Sequence, residues 1–341
     1  MLSVEVPLLM ECPDERWPGT TACRFQMRPM FVLIATLAFA QPLSAQELRL
    51  FSIGSGDLNG GYFAAARAIC EVINRIDGKR LRCSPESTPG SLYNLVALDK
   101  SQLDLAIVQS DLQKHAFKGT SVFASRGPMT RLRSVMSLYP EPFNLIVRKK
   151  SGIGSFRDLV GKRVDIGQPS SGRQATMRAV MEGFGIKLSD FQFVAELPSS
   201  DAIHELCAGR VDATVLIMGH PSTAIARALN ECDAELLSLV GPEIERLIAG
   251  NDDYSRISLP IGTNATPPRE LVTFAVQATV ITLATIDDEI IDAFVRNTLM
   301  NLDTLRQKVP ILAALNSGEM RSMSVPTGRM TAASELRCRC A

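Results

Sequence analysis

From residue 48 onward the apolar and polar positions change period in a regular way. Residues 48–53 form a short apolar run of strand type. Residues 61–76 then place Ile69, Val72, Ile73 and Ile76 three and four apart, the period of a helix with one buried face. The pattern predicts a strand over 81–87, a helix over 91–98 and a buried strand over 103–108. Strands alternating with helices predict a mostly parallel sheet covered on both faces, an α/β fold.

The rhythm breaks between residues 132 and 149. Two apolar runs there are separated by Pro140, Glu141 and Pro142. Two prolines in three residues disfavour a continuous helix and suit an extended crossover, read here as an interdomain hinge strand. Alternation resumes with strands over 163–166, 191–196, 213–218 and 236–240, and helices over 172–184 and 200–208. Pro221 suits the start of a further helix. Residues 250–268, rich in Asn, Asp, Gly and Pro, read as loop. A β-branched apolar run over 271–284 and helices over 287–301 and 302–315 follow. The simplest folding of this order has two α/β lobes, residues 46–140 with 260–330 and residues 141–259, leaving 331–341 as a tail. Two crossovers make a hinge, and the cleft between lobes is a natural ligand site.

The N-terminal pattern differs. Residues 30–40 are an unbroken apolar run, preceded by Arg24 and Arg28 and followed by small residues up to Ala45. A basic flank, a short apolar core and a small-residue end describe a secretory signal peptide, too short for the roughly 20 residues that span a bilayer. Glu5, Glu11, Asp14 and Glu15 are foreign to such a leader. Met27 is therefore the expected native start and residues 1–26 an upstream extension. The protein is expected in the periplasm, beginning near Gln46. Export permits disulfides. Cys70 with Cys83 and Cys207 with Cys232 are local candidates, although spacing alone leaves connectivity open.

Lysine plus arginine and aspartate plus glutamate both number 36, so there is no basic excess for nucleic acid. Three turns rich in glycine and hydroxyls precede predicted helices, over residues 56–63, 87–94 and 167–174. Helix N-termini present unpaired N–H groups and a positive dipole end, and small residues let a carboxylate or phosphate approach them. Each turn also has a plainer reading, in which Ser91 or Ser171 caps its own helix. Dinucleotide and P-loop motifs are incomplete at these turns, and no Gly-x-Ser-x-Gly elbow exists. His115 and His204 read as surface residues of helices, and His220 as an exposed loop histidine. No cofactor or metal site is expected.

Residues 56–63, 88–95 and Gln109-Ser110-Asp111 resemble successive motifs of the TAXI family, the solute-binding subunits of TRAP (tripartite ATP-independent periplasmic) transporters. The segments 153–164, 167–176 and 212–221 continue the resemblance, which covers roughly residues 48–315. It implies a two-lobed class II periplasmic-binding-protein fold with a hinge and an interlobe cleft. It also implies a monomeric receptor that is not an enzyme, a ligand such as glutamate, glutamine or a related dicarboxylate, and TRAP-type permease subunits as membrane partners. Pro89 and Ser170 stand where the family usually has glycine, and Arg173 and Gln174 where it more often has a threonine and an acidic residue.

The turns and the resemblance together nominate ligand-binding residues. These are Gly60, Gly61, Tyr62, Thr88, Gly90, Ser91, Asn94, Gln109, Ser110, Asp111, Ser170, Ser171, Gly172, Arg173 and Gly219. Arg173 would meet a second ligand carboxylate or else point to solvent. An exported enzyme acting on a carboxylic acid and a sensory solute-binding module remain the alternatives.

Overall fold

The computed structural model describes residues 47–261, 269–313 and 315. The leader, the start at Met27 and the 331–341 tail lie outside them. The elements in chain order are β1 (Arg49–Gly54), α1 (Gly61–Ile76), β2 (Leu81–Glu86), α2 (Ser91–Asp99), β3 (Leu105–Gln109), α3 (Ser110–Lys118) and β4 (Leu132–Arg148). Then come β5 (Arg163–Asp165), α4 (Gly172–Phe184), β6 (Phe193–Ala195), α5 (Ser199–Cys207), β7 (Ala213–Ile217), α6 (Thr223–Glu231), β8 (Ala234–Leu237) and α7 (Pro242–Ala249). The chain continues with β9 (Ser255–Ile261), β10 (Arg269–Leu283), α8 (Asp288–Met300) and α9 (Leu302–Lys308).

Side-chain alternation divides the central strands between cores on their two faces. In β3, Leu105 and Ile107 enter the core beneath α1 and α8, while Ala106 and Val108 enter the one beneath α2 and α3. This is the period of two that a strand buried on both faces requires. The second group of strands repeats the arrangement. Phe143, Leu145 and Val147 of β4 face α4 and α7, and Ile146 faces α5 and α6.

The strand order is β2-β1-β3-β10-β4-β7-β5-β6, with β8 on β4 and β9 on β10. β1 is parallel to β2 and β3, and β5 is parallel to β6 and β7. Two long strands join the groups. β4 pairs with β10 as far as Pro142, then with β7 and β8 from Phe143 onward. β10 pairs with β9 up to Ala275 and with β3 from Ala278. Each of these two strands supplies side chains to all four cores.

Some expectations require correction. The stretch 250–268 is not all loop, because β9 lies within it and completes a hairpin-like pairing with β10. β10 exchanges β9 for β3 as its neighbour between Ala275 and Ala278. The last helix stops at Lys308, and Pro310, which cannot donate an N–H, opens a separate 3-10 turn. Pro221 precedes its helix rather than entering it, Ser222 being the cap. Cys70 is bonded to Cys83 and Cys207 to Cys232, at Cα separations of 5.0 and 4.5 Å. The first bridge ties α1 to β2 and the second ties α5 to the end of α6.

Candidate functional site

Two of the three turns are sewn together from below. Asn94, fully buried on α2, donates to the carbonyls of Ser55 (2.7 Å) and Ile107 (2.9 Å). Its Oδ1 accepts from the Thr88 hydroxyl at 2.7 Å. Gly90 precedes α2 at φ +118°, a conformation side chains rarely adopt, and its amide donates to Thr88 Oγ1 at 3.2 Å. Asn94 and Thr88 thus hold the ends of β1 and β3 beside the start of α2. Above this network lie the N-termini of α1 and α2, neither having a side-chain cap.

β3 ends at Gln109. Its amide donates to Ser91 Oγ at 3.1 Å, and its side-chain Nε2 is 3.5 Å from Thr176 Oγ1 on α4. Gln109 is only 3% exposed, yet its Oε1 has no hydrogen-bond partner among the described residues. Ser110 and Asp111 face away from the turns. Ser110 Oγ accepts from the Gln277 amide (3.1 Å), and Asp111 Oδ2 accepts from Tyr254 (3.1 Å) and Thr176 (3.2 Å). Burial raises the Asp111 carboxyl to about 6, against the bonds it accepts from the Leu112 amide and Tyr254.

The third turn comes from the other strand group. Gly167 (φ +98°) and Ser170 (φ +66°) bend the chain, and Ser171 caps α4 by accepting from the Gln174 amide at 3.1 Å. The capping role weighed for Ser171 is therefore realised. Gly172 lies against the first group so closely that a Cβ on it would stand 1.6 Å from Gln109 Oε1. Direct bonds close the contact, from the Tyr93 amide to Ser170 O (3.0 Å) and from Gln168 Nε2 to Pro89 O (2.9 Å).

Arg173 does not point to solvent. Its guanidinium is buried, with Nη1 3.1 Å from Asp165 Oδ2 and 3.0 Å from Val215 O, and Nη2 bonded to Leu197 O. Asp165 is further held by the Thr214 hydroxyl at 2.6 Å. Sequence reasoning could not see this ion pair, because Asp165 sits on a different element. One donor is left over. Arg173 Nε is buried and has no partner among the described residues.

Between these walls lies a polar cavity of about 80 Å³. At roughly 10–15 Å³ per water it has room for several waters or a compact polar group. Its lining includes Gly60, Gly61, Tyr62, Gly90, Ser91, Gln109, Ser171, Gly172 and Arg173, so most nominated residues do converge. Thr88, Asn94, Ser110, Asp111 and Ser170 are not in the lining, and the first four instead brace the walls. Gly219 lines a neighbouring, larger and mainly apolar cavity of about 360 Å³, which shares Gly60, Gly61 and Met218 with the first. Next to it, His220 is half-buried rather than exposed, its Nε2 facing Asn144 Oδ1 at 2.8 Å.

Glu141 is a lining residue that sequence reasoning missed. It is 3% exposed and accepts from the Tyr62 hydroxyl at 2.5 Å. Burial pushes its carboxyl up to about 8, the Tyr62 bond opposing and the charge on Asp111 adding to the rise. An acid between two prolines in an otherwise apolar strand was the available signal. The Tyr139 hydroxyl nearby is buried without a partner among the described residues.

The arrangement can therefore hold an anion with three helix N-termini and one side-chain N–H, while Gln109 Oε1 is left as an acceptor beside them. Several solved structures share the architecture. PhnD1 from Prochlorococcus marinus (MIT 9301), in complex with methylphosphonate, has a TM-score of 0.51 at 11% identity, covering 77% of this chain and 90% of that one. A protein from Bordetella bronchiseptica RB50 has a TM-score of 0.51 at 15% identity, covering 80% and 82%. The periplasmic aliphatic sulphonate binding protein SsuA from Escherichia coli has 0.45 at 16%, covering 79% of each. These are likenesses of fold, the mixed α/β fold of periplasmic binding proteins. Residues 53–327, far more than half of the sequence, match the model of the NMT1-like family, and the chain belongs to that family.

Proposed function

We propose that the protein is an exported, non-catalytic solute receptor that captures a small organic anion in the polar cavity and delivers it to a TRAP-type membrane permease. The observation that carries the reading is the convergence of the N-termini of α1, α2 and α4 on one cavity, beside a buried donor without a partner among the described residues, Arg173 Nε. An anion entering such a site loses water and must find donors already oriented. Helix N-termini meet that need without placing a free cation in the cavity.

Further features support the setting. The two disulfides suit an oxidising compartment outside the cytoplasm. β4 and β10 are the two passages between strand groups, so bending there would open the cavity while each group keeps its own cores. The ligand would favour the closed arrangement through contacts to both walls. The motif resemblance to TAXI receptors supports the TRAP partner and puts acidic amino acids and dicarboxylates among the first ligands to try.

A thermal-shift screen of organic acids and amino acids tests this reading. A ligand at 100 times its Kd stabilises the folded state by about 2.7 kcal/mol, a shift of several degrees. No shift from any organic anion, or turnover of one on incubation, would overturn it.

A further inference from the structure

The charges around the polar cavity constrain the ligand beyond its being an anion. Asp57, Glu141 and Arg173 are the charged residues in its lining among the described residues. Arg173 is already matched by Asp165 and by the Val215 and Leu197 carbonyls, which leaves one N–H for a ligand. The helix N-termini can accept one carboxylate. A second carboxylate would find no unmatched cation and would lie in a cavity that also carries the Asp57 carboxylate. A buried charge left without a partner costs several kcal/mol, so a dianion fits poorly.

The space beside the polar cavity is larger and more apolar. The larger cavity is walled by Ala64, Pro221, Ala224, Val309 and Ile311, and the two cavities meet at Gly60, Gly61 and Met218. Both glycines lie at the start of α1, where a side chain would narrow the junction. A Cβ on Gly61 would stand 2.7 Å from Ile311 Cδ1. Met218 is unbranched and flexible, a side chain that yields to a group passing beside it. An apolar surface in contact with an anion site stabilises a ligand that carries an apolar part next to its anionic head.

We infer that the ligand is an amphiphilic monocarboxylate, an alkyl or aryl acid whose head sits at the helix N-termini and whose tail fills the apolar cavity past Met218. The inference rests on the receptor reading above and replaces its dicarboxylate class with a single-headed acid. The Asp57 carboxylate then acts against doubly charged acids, which gives the site a means of rejecting them.

Calorimetric titration of the purified protein with butyrate, hexanoate and octanoate, beside glutarate and adipate, tests it. Affinity is expected to rise about fourfold per added methylene, from about 0.8 kcal/mol for each one buried. Hexanoate should bind at least about tenfold tighter than adipate, which differs by a second carboxylate. Ala226→Phe, on an exposed position of α6 lining the apolar cavity, should flatten the chain-length series. Thr223→Phe, also exposed and lining, is the second variant. A flat series in the unaltered protein, a preference for adipate over hexanoate, or a slope that survives both variants would overturn the tail site while leaving the receptor reading intact. Failure of all five acids to bind would overturn the tail site, whereas the receptor reading falls only if the wider screen of organic acids and amino acids also gives no shift.

Discussion

The two walls of the polar cavity are built by different means. The wall from the first strand group is a network of neutral groups, in which Asn94, Thr88 and Ser91 satisfy backbone carbonyls and amides. The wall from the second group is organised by an ion, Arg173 matched to Asp165 under the N-terminus of α4. Both leave the same thing facing the cavity, namely backbone N–H groups of a helix start. The contrast teaches that the charged residue most suggestive of ligand binding in the sequence serves mainly to hold its own wall. Recognition is left to dipoles and to the few atoms that the walls leave unmatched.

The comparison breaks most visibly at the ion pair. Arg173→Ala strands Asp165 in the interior, and loss of one partner of a buried pair typically costs about 3–5 kcal/mol. Tm should fall by roughly 10 °C in a thermal melt, and replacing both residues by apolar ones should recover much of it. A melt unchanged from the parent would show that the pair does not hold the wall.

Glu141 belongs to neither network and sharpens the contrast through pH. Its carboxyl is raised to about 8 in the folded protein, above the ordinary value of 4.5. A raised folded value means the stabilising contribution is full at low pH and is lost as pH rises from about 4.5 to 8. Each pH unit inside that window is worth about 1.4 kcal/mol, so stability should fall by about 2–3 kcal/mol between pH 5 and 7 on this account alone. Denaturant titrations of the parent and Glu141→Gln across that range should diverge with rising pH, the variant being the less sensitive.

The neutral wall should yield less. Asn94→Ala removes a donor from the Ile107 carbonyl and leaves the Ser55 carbonyl with the Thr88 hydroxyl, for a cost of about 1–3 kcal/mol measured by denaturant titration. A loss as large as that of Arg173→Ala would erase the proposed difference between the walls.

Much of this frame is legible in the chain itself. The span 172–184 carries its start and stop signals locally, Ser171 before it and Gly185 after it, and α4 keeps those limits. β3 and the two cysteine pairs are equally local. β9 is less so: Ile257, Leu259 and Ile261 alternate with Arg256, Ser258 and Pro260, but this short signal lies in a stretch dominated by Asn, Asp, Gly and Pro, and pairing with β10 makes it a strand. The role of Arg173 is likewise set by a strand eight residues earlier and by carbonyls from β7 and from Leu197. Turn chemistry showed which segments could hold an anion, while tertiary pairing decided which side chains were free to do so.

The central claim is that an organic anion binds between the two walls where Gly172 meets Gln109. Gly172→Ala puts a methyl group at the place of Gln109 Oε1, and the flexible amide end must swing into the cavity to relieve the clash. The most direct measurement is the thermal shift produced by an organic acid that stabilises the parent protein, repeated on this variant. The account predicts a shift of several degrees in the parent and almost none in Gly172→Ala, with the unliganded variant still folded. Equal shifts in both proteins would contradict it.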